Sequence, residues 1–342
     1  MTTSLPDEWR AGMKYFSPVL ITGASGFVGS HLAEALAREK VKVKLLVRKT
    51  SRLPFVPTPE MELCYGDVTD LESVRQAAQG TEAIYHLAGI LRGSNYDHLK
   101  NVNAEGTRNV CKTAEEVKGL KRFLYVSSLS AAGPAREKPE IDESDPCRPA
   151  CHYGETKLMG EEIALSYRDK FPVTIVRPAA VYGPRETDIF AYFKMVRQGL
   201  VAIPRLTQKV SFIHVLDLVE AMIKAVHSPK AVGRIYFVSD GKAYSWEELS
   251  AFIGQSLKRS YLTFKVPMGI VKMVAILGEV VEKFTGKASM LNVDKVKEAA
   301  FPSWVCSNKR ICKELGFTPG FEIQRGIENT IQFYHSAGWL KP

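Results

Sequence analysis

The chain has 342 residues, 45% hydrophobic and 24% charged, an ordinary globular composition with room for two domains. No apolar run approaches the roughly 20 residues of a membrane span, and the six cysteines form no C-x-x-C, so neither a spanning segment nor a metal site is expected. The net charge of +9 is dispersed, with no block of cations, which argues against a nucleic-acid partner.

Residues 1–16 contain no apolar stretch of signal-peptide type and are expected to be a loose tail, with a cytoplasmic location as the default. From Pro18 the pattern alternates. VLITGAS reads as a strand entering a turn, SHLAEALAREK as a helix, and VKVKLLV as a strand. MELCYGDV, AIYHLAG and RFLYVSSLS read as further strands, separated by the helical LESVRQAAQG and the long HLKNVNAEGTRNVCKTAEEV. YGETKLMGEEIALSYRDKF is helical and VTIVRPAAVYG a strand and loop. Such βαβ repetition predicts an α/β fold with a doubly wound parallel sheet, the Rossmann arrangement. After Gly183 the rhythm loosens. VSFIHVLDLVEAMIKAV and RIYFVSD suggest a strand–helix–strand return to the sheet, and the remainder reads as mainly helical. The expected division is 17–183 plus about 206–240 for a dinucleotide-binding domain, and about 184–205 plus 241–342 for a smaller substrate domain. The apolar stretch VPMGIVKMVAILGEVVEKF reads first as a core helix, and otherwise as a roof over an apolar pocket or a membrane contact.

TGASGFVG places Gly23, Gly26 and Gly29 between an apolar strand and an amphipathic helix. Glycine permits positive φ and close backbone approach, and the following helix N-terminus favours a pyrophosphate. Phe27 and Val28 share that turn. About twenty residues on, an acid would accept the ribose 2′-OH of NAD. None occurs from Val41 to Leu53; Arg48, Lys49, Ser51 and Arg52 cluster there instead, which suits the 2′-phosphate of NADP. NADP is therefore favoured over NAD.

Tyr-x-x-x-Lys occurs three times, at Tyr96–Lys100, Tyr153–Lys157 and Tyr261–Lys265. The last lies in strand-like SYLTFKVP, where four residues span ~13 Å, too far for one side chain to tune the other. The first has no preceding strand-end serine pair. Only Tyr153–Lys157 follows a strand ending in such a pair, Ser127 and Ser128.

In order and spacing, TGASGFVG, HLAG (His86–Gly89), Asn103 in NVNAEGT, YVSS, YGETK and RPAAVYGP resemble the extended short-chain dehydrogenase/reductase family, of NAD-dependent epimerase/dehydratase type. FIHVLDLVEAM and LGFTP also resemble it. The resemblance implies that Tyr153 exchanges a proton with the substrate oxygen, that Ser128 holds that oxygen, and that Lys157 favours the phenolate and grips the nicotinamide ribose. A free phenol, pKa about 10, needs such help at neutral pH. The resemblance also places Asn103 near the active-site strand ends, as a catalytic residue with Ser128, Tyr153 and Lys157. It puts Asp67 and Val68 at the adenine, Ala88, Gly89 and Ser127 along the cofactor, and Pro178 and Val181 on the nicotinamide side. His214 reads as a packing residue and Asp217 as a cap or turn residue. Arg185, at the domain junction, grips either an anionic substrate or a carboxylate.

Dehydratase relatives carry an acid just after the catalytic hydroxyl; here Leu129 and Ser130 stand there. Ala131-Ala132-Gly133 replaces the V-Y-G of nucleotide-sugar epimerases and is closer to the 3β-hydroxysteroid dehydrogenase and dihydroflavonol reductase branch. The expectation is an NAD(P)-dependent oxidoreductase interconverting a secondary alcohol and a ketone. The alternatives are a nucleotide-sugar 4-epimerase with tightly bound NAD and a non-catalytic cofactor-binding regulator. The partner is a small-molecule substrate; a membrane surface is not expected, and the resemblance implies a homodimer.

Overall fold

The computed structural model describes residues 14–93, 95–285 and 293–340. Its strands are β1 (Val19–Thr22), β2 (Val43–Val47), β3 (Met61–Tyr65), β4 (Ala83–His86), β5 (Arg122–Val126), β6 (Val173–Pro178) and β7 (Ala180–Tyr182). Then follow β8 (Leu200–Pro204), β9 (Lys209–Val210), β10 (Phe212–His214), β11 (Ile235–Val238), β12 (Tyr244–Ser245), β13 (Leu262–Val266) and β14 (Ser303–Trp304). Seven strands form one sheet in the order β11-β6-β5-β4-β1-β2-β3, and every neighbouring pair is parallel. The order reverses between β1 and β4, so their carboxyl ends open the crevice where such sheets take ligands.

β1 and β4 are buried along their whole length, as strands covered on both faces must be. Helices Phe27–Arg38 and Val215–His227 cover one face, around Leu32, Leu36, Leu218 and Met222. The other face packs around Leu20, Ile84, Phe123 and Ile175 under Leu71–Ala78, Gly106–Glu116 and His152–Ser166. Each such side chain contributes about 1.5–3 kcal/mol on burial. A third core, around Phe193, Phe212 and Tyr334, lies in the later segments.

Several expectations change. Residues 1–13 lie outside the described structure, but Tyr15 and Phe16 are not loose. Both pack on the core, and Phe16 stacks on His227 with centroids 5.0 Å apart. The long helix expected from His98 is three pieces: an α-helical turn Tyr96–Lys100, a π-helical turn Asn101–Glu105, and helix Gly106–Glu116. Of the strand–helix–strand return, only β11 joins the main sheet; β10 pairs with β7. The C-terminal part adds three short strands, of which β13 pairs in parallel with β8. The apolar stretch after Pro267 forms helix Met268–Thr285, but Ile270, Met273, Val274, Ile276 and Leu277 face solvent instead of a core. Among the described residues, no helix is long and apolar enough to cross a membrane.

Candidate active site

The glycine turn follows β1. Gly23 has φ 75°, and a Cβ there would lie 2.7 Å from the Ala88 nitrogen, so the turn presses on the loop after β4. A Cβ on Gly29 would strike the Gly23 carbonyl at 2.3 Å, so only glycine lets the helix start this close to the strand. Gly26 caps helix Phe27–Arg38 without a side-chain bond, and its first turn carries no acid. The first-turn amides are thus left for an anion, and this cradle fits the pyrophosphate of a dinucleotide. Phe27 and Val28 are half-buried, Val28 against the core.

A buried polar chain ties β1, β4 and the π-helical turn together. Thr107 Oγ1 donates to the Asn103 carbonyl at 2.7 Å, so His86 Nε2–H donates to Thr107 (2.9 Å). His86 Nδ1 then accepts from Thr22 Oγ1 (2.6 Å), which in turn accepts from the Ala88 N–H (3.1 Å). This order of donors fixes one neutral tautomer. Burial pushes the His86 pKa down to about 3, with the Lys157 charge adding to the effect.

Asn103 is fully buried, and its carboxamide has partners on both ends. Oδ1 accepts from Ile90 N–H (2.8 Å), while Nδ2 donates to the Ile90 carbonyl and to Thr156 Oγ1, both at 3.0 Å. It pins the loop carrying Ala88 and Gly89 to the helix carrying Tyr153. That makes it a positioning residue, where the sequence suggested a catalytic one. π-Helical turns often accompany functional sites.

Ser127 and Ser128 follow β5. The Ser127 hydroxyl is buried without a partner among the described residues. Ser128 caps the short helix Leu129–Ala132 by accepting from Ser130 N–H at 3.1 Å. Helix His152–Ser166 begins against this turn: a Cβ on Gly154 would sit 2.2 Å from the Ser130 carbonyl. The close approach brings the half-buried Tyr153 to Ser128, whose hydroxyl hydrogen-bonds the phenol. Burial pushes the phenol's pKa well up, the Ser128 hydroxyl pulls it partly back, and the Glu298 charge raises it further.

Lys157 is buried; its Nζ donates to the Val126 carbonyl (2.8 Å) and lies 4.2 Å from the Tyr125 ring centroid. Burial brings its pKa down to about 7, opposed by Glu161. One turn on, Glu161 forms a two-bond pair with Arg177 of β6 (2.9 and 2.6 Å), both side chains buried.

The structure separates the other predicted residues. Arg48, at the end of β2, is exposed, and neither it, Lys49 nor Arg52 forms an ion pair with a described residue. The Asp67 carboxylate accepts from the Thr69 N–H and hydroxyl. The Val68 side chain is buried against Gly106, and its carbonyl accepts from Asn109. Pro178 ends β6, and Val181 pairs with Ile213 in β7. The Arg185 guanidinium is held by Glu34 (2.8 Å) and Ser30 (3.1 Å), on the first helix, which favours the carboxylate over an anionic substrate. His214 is buried and stacks on Phe321 with centroids 3.9 Å apart. Asp217 is no cap. It accepts from the N–H groups of Gly320 and Phe321, clasping the segment after LGFTP.

The residue least visible in the sequence is Glu298, on helix Val293–Ala299. It accepts from Ser130 Oγ (3.1 Å) and Cys151 Sγ (3.2 Å), beside Ser128 and Tyr153. Burial raises its pKa. Around it, Asp294 accepts from His152 N–H, and Asp188 joins Lys295 to Arg92 of the loop after β4. The C-terminal segments thus close over the start of helix His152–Ser166. A carboxylate lies beside the candidate catalytic hydroxyls after all, but it arrives from the far end of the chain.

Residues 19–239 match the family model described as NAD dependent epimerase/dehydratase family. The chain belongs to this family. It is an enzyme of the extended short-chain dehydrogenase type. A ceramide reductase of Caulobacter vibrioides is 27% identical over 325 residues, covering 94% of this chain and 96% of that one. The N-acetyl-alpha-D-glucosaminyl-diphospho-ditrans,octacis-undecaprenol 4-epimerase of Escherichia coli O157:H7 is 27% identical over 323 residues, covering 92% and 94%. Among solved structures, MoeE5 in complex with UDP-glucuronic acid and NAD has the same fold, with TM-score 0.75 at 23% identity, covering 93% of this chain and 99% of that one.

Proposed function

We propose that this chain is an NADP-dependent reductase of a ketone, or dehydrogenase of the matching secondary alcohol, on an apolar substrate. The observation that carries it is the end of β2, where Arg48, Lys49 and Arg52 have no acidic partner among the described residues and residues 41–53 contain no Asp or Glu. Cations there hold a 2′-phosphate, and a carboxylate would repel it. Both relatives above carry a lipid in their names, ceramide and undecaprenol.

Gly23, Gly26 and Gly29 would hold the pyrophosphate, Ala88 and Gly89 the adjoining backbone, and Lys157 the nicotinamide ribose. When bound, the cofactor supplies or accepts the hydride. Ser128 orients the substrate oxygen toward Tyr153. The phenol's raised pKa keeps it protonated at neutral pH, the form that donates a proton to a ketone oxygen. Asn103 holds the Ile90 loop in register with Tyr153 through Thr156. The same reading includes a homodimer and a cytoplasmic location.

The test is consumption of NADPH against NADH with lipid-like ketones. NADPH preference is expected, and Arg48→Ala with Arg52→Ala should lower it by roughly tenfold. Equal use of both cofactors would refute the NADP assignment. Turnover of a nucleotide sugar without net cofactor consumption would favour a 4-epimerase with tightly held NAD.

A further inference from the structure

A run of exposed apolar side chains lies on β8, β13 and helix Met268–Thr285. Leu262 and Phe264 alternate onto one face of β13, and Leu262 is in register with the exposed Leu200 of β8. After Pro267 the chain enters the helix, where Ile270, Met273, Val274 and Leu277 follow the i, i+3, i+4, i+7 spacing of one face. On a soluble helix such a face points inward. Here it points out, with Leu262 68%, Met273 56% and Leu277 57% exposed.

The charge around this surface is mainly positive, although the helix itself carries Glu279 and Glu282 toward its end. Residues 199–210 and 258–278 contain no Asp or Glu, but carry Arg205, Lys209, Lys258, Arg259, Lys265 and Lys272. Lys209 and Lys265 pair with Glu248 and Glu247 of helix Trp246–Leu257. Arg205, Lys258, Arg259 and Lys272 are exposed and form no ion pair with a described residue. We infer that β8, β13 and helix Met268–Thr285 form a docking surface for an anionic lipid bilayer, the apolar face entering the headgroup boundary and the cations meeting lipid phosphates. An outward apolar face with unpaired cations on the flanking segments is the pattern of an element lying in a membrane interface. A second copy of the chain fits worse, because self-pairing of this face would bring its unpaired cations against their own kind.

The surface also leads to the site. Helix Met268–Thr285 packs against helix Val293–Ala299, whose Glu298 touches Ser130 and Cys151. Docking would place the bilayer next to the element closing over Tyr153. Membrane binding does not depend on which ketone or alcohol the enzyme turns over.

The full chain should sediment with phosphatidylcholine vesicles containing phosphatidylglycerol, and far less with phosphatidylcholine alone. Met273→Asp with Leu277→Asp should lower partitioning by at least about tenfold. Arg205→Gln with Lys272→Gln should lower it by ~5-fold per cation, with a weaker salt dependence. All four positions are exposed, so NADPH binding and thermal unfolding should match the parent, and these readouts separate lost docking from lost fold. The inference is overturned if the full chain stays in the supernatant with both vesicle types, or if both double variants sediment like the parent. It is equally overturned if Met273→Asp with Leu277→Asp converts a dimer to a monomer in a chain that binds no vesicles, which would assign the face to a second copy.

Discussion

At the carboxyl edge of the sheet, polar side chains are buried and mostly partnered. Asn103 uses both ends of its carboxamide, His86 both ring nitrogens, and Lys157 the Val126 carbonyl. In residues 262–277 apolar side chains stand in solvent and the cations have few partners. The first region has already met its internal requirements and keeps a few groups in reserve, such as the Ser127 hydroxyl and the amides after Gly26. The second remains unsatisfied until something covers it. The first is therefore a rigid site and the second a docking surface, and they should respond differently to substitution.

Tyr153→Phe removes the phenol proposed to move the substrate proton, so kcat should fall by about 10³-fold with thermal unfolding unchanged. A variant retaining most of its turnover would leave the edge without its assigned chemistry. Glu161→Gln breaks the buried pair with Arg177 and should cost about 3–5 kcal/mol in urea unfolding. A comparable cost for Leu262→Ala would erase the contrast, since an exposed side chain loses little.

Acid provides a third comparison. His31, His86 and His214 are buried, chiefly desolvated, and hold pKa values of about 4, 3 and 3. Below the ordinary pKa of 6.5 the unfolded chain binds protons that the folded chain refuses. Stability is therefore complete above that value and falls as pH drops toward the folded values. At about pH 5.5 the three together should cost about 3–4 kcal/mol relative to neutral pH, in denaturant melts. A flat profile would mean that these histidines accept protons in place.

The smallest effect concerns Glu298. Its charge raises the Tyr153 pKa, so Glu298→Gln should lower it. Ketone reduction needs the protonated phenol, so the alkaline fall in kcat should move to lower pH by less than about one unit. An unshifted profile with lowered stability would make Glu298 a structural contact between the two regions.

Much of the edge was legible because its signals are local. Periodicity marks strands and helices, and Gly23 and Gly29 answer backbone needs that no other residue meets. Asn103 was visible as a residue near the site, but its bonds to Ile90 and Thr156 were not, and they change its role from chemistry to positioning. Helix Met268–Thr285 shows how periodicity misleads: an apolar stripe announces a helix without saying which side the rest of the chain will cover.

The order of short motifs along the chain therefore determined the doubly wound sheet and the glycine turn, and it singled out Ser128, Tyr153 and Lys157 as the candidates for chemistry. Tertiary structure alone decided that Glu298 meets Ser130 across 168 positions and that Glu161 meets Arg177. It also decided that Arg185 answers Glu34 and that the apolar face of residues 270–277 is left outside. Burial, desolvation and pairing are properties of the packed chain, and no short stretch of sequence contains them.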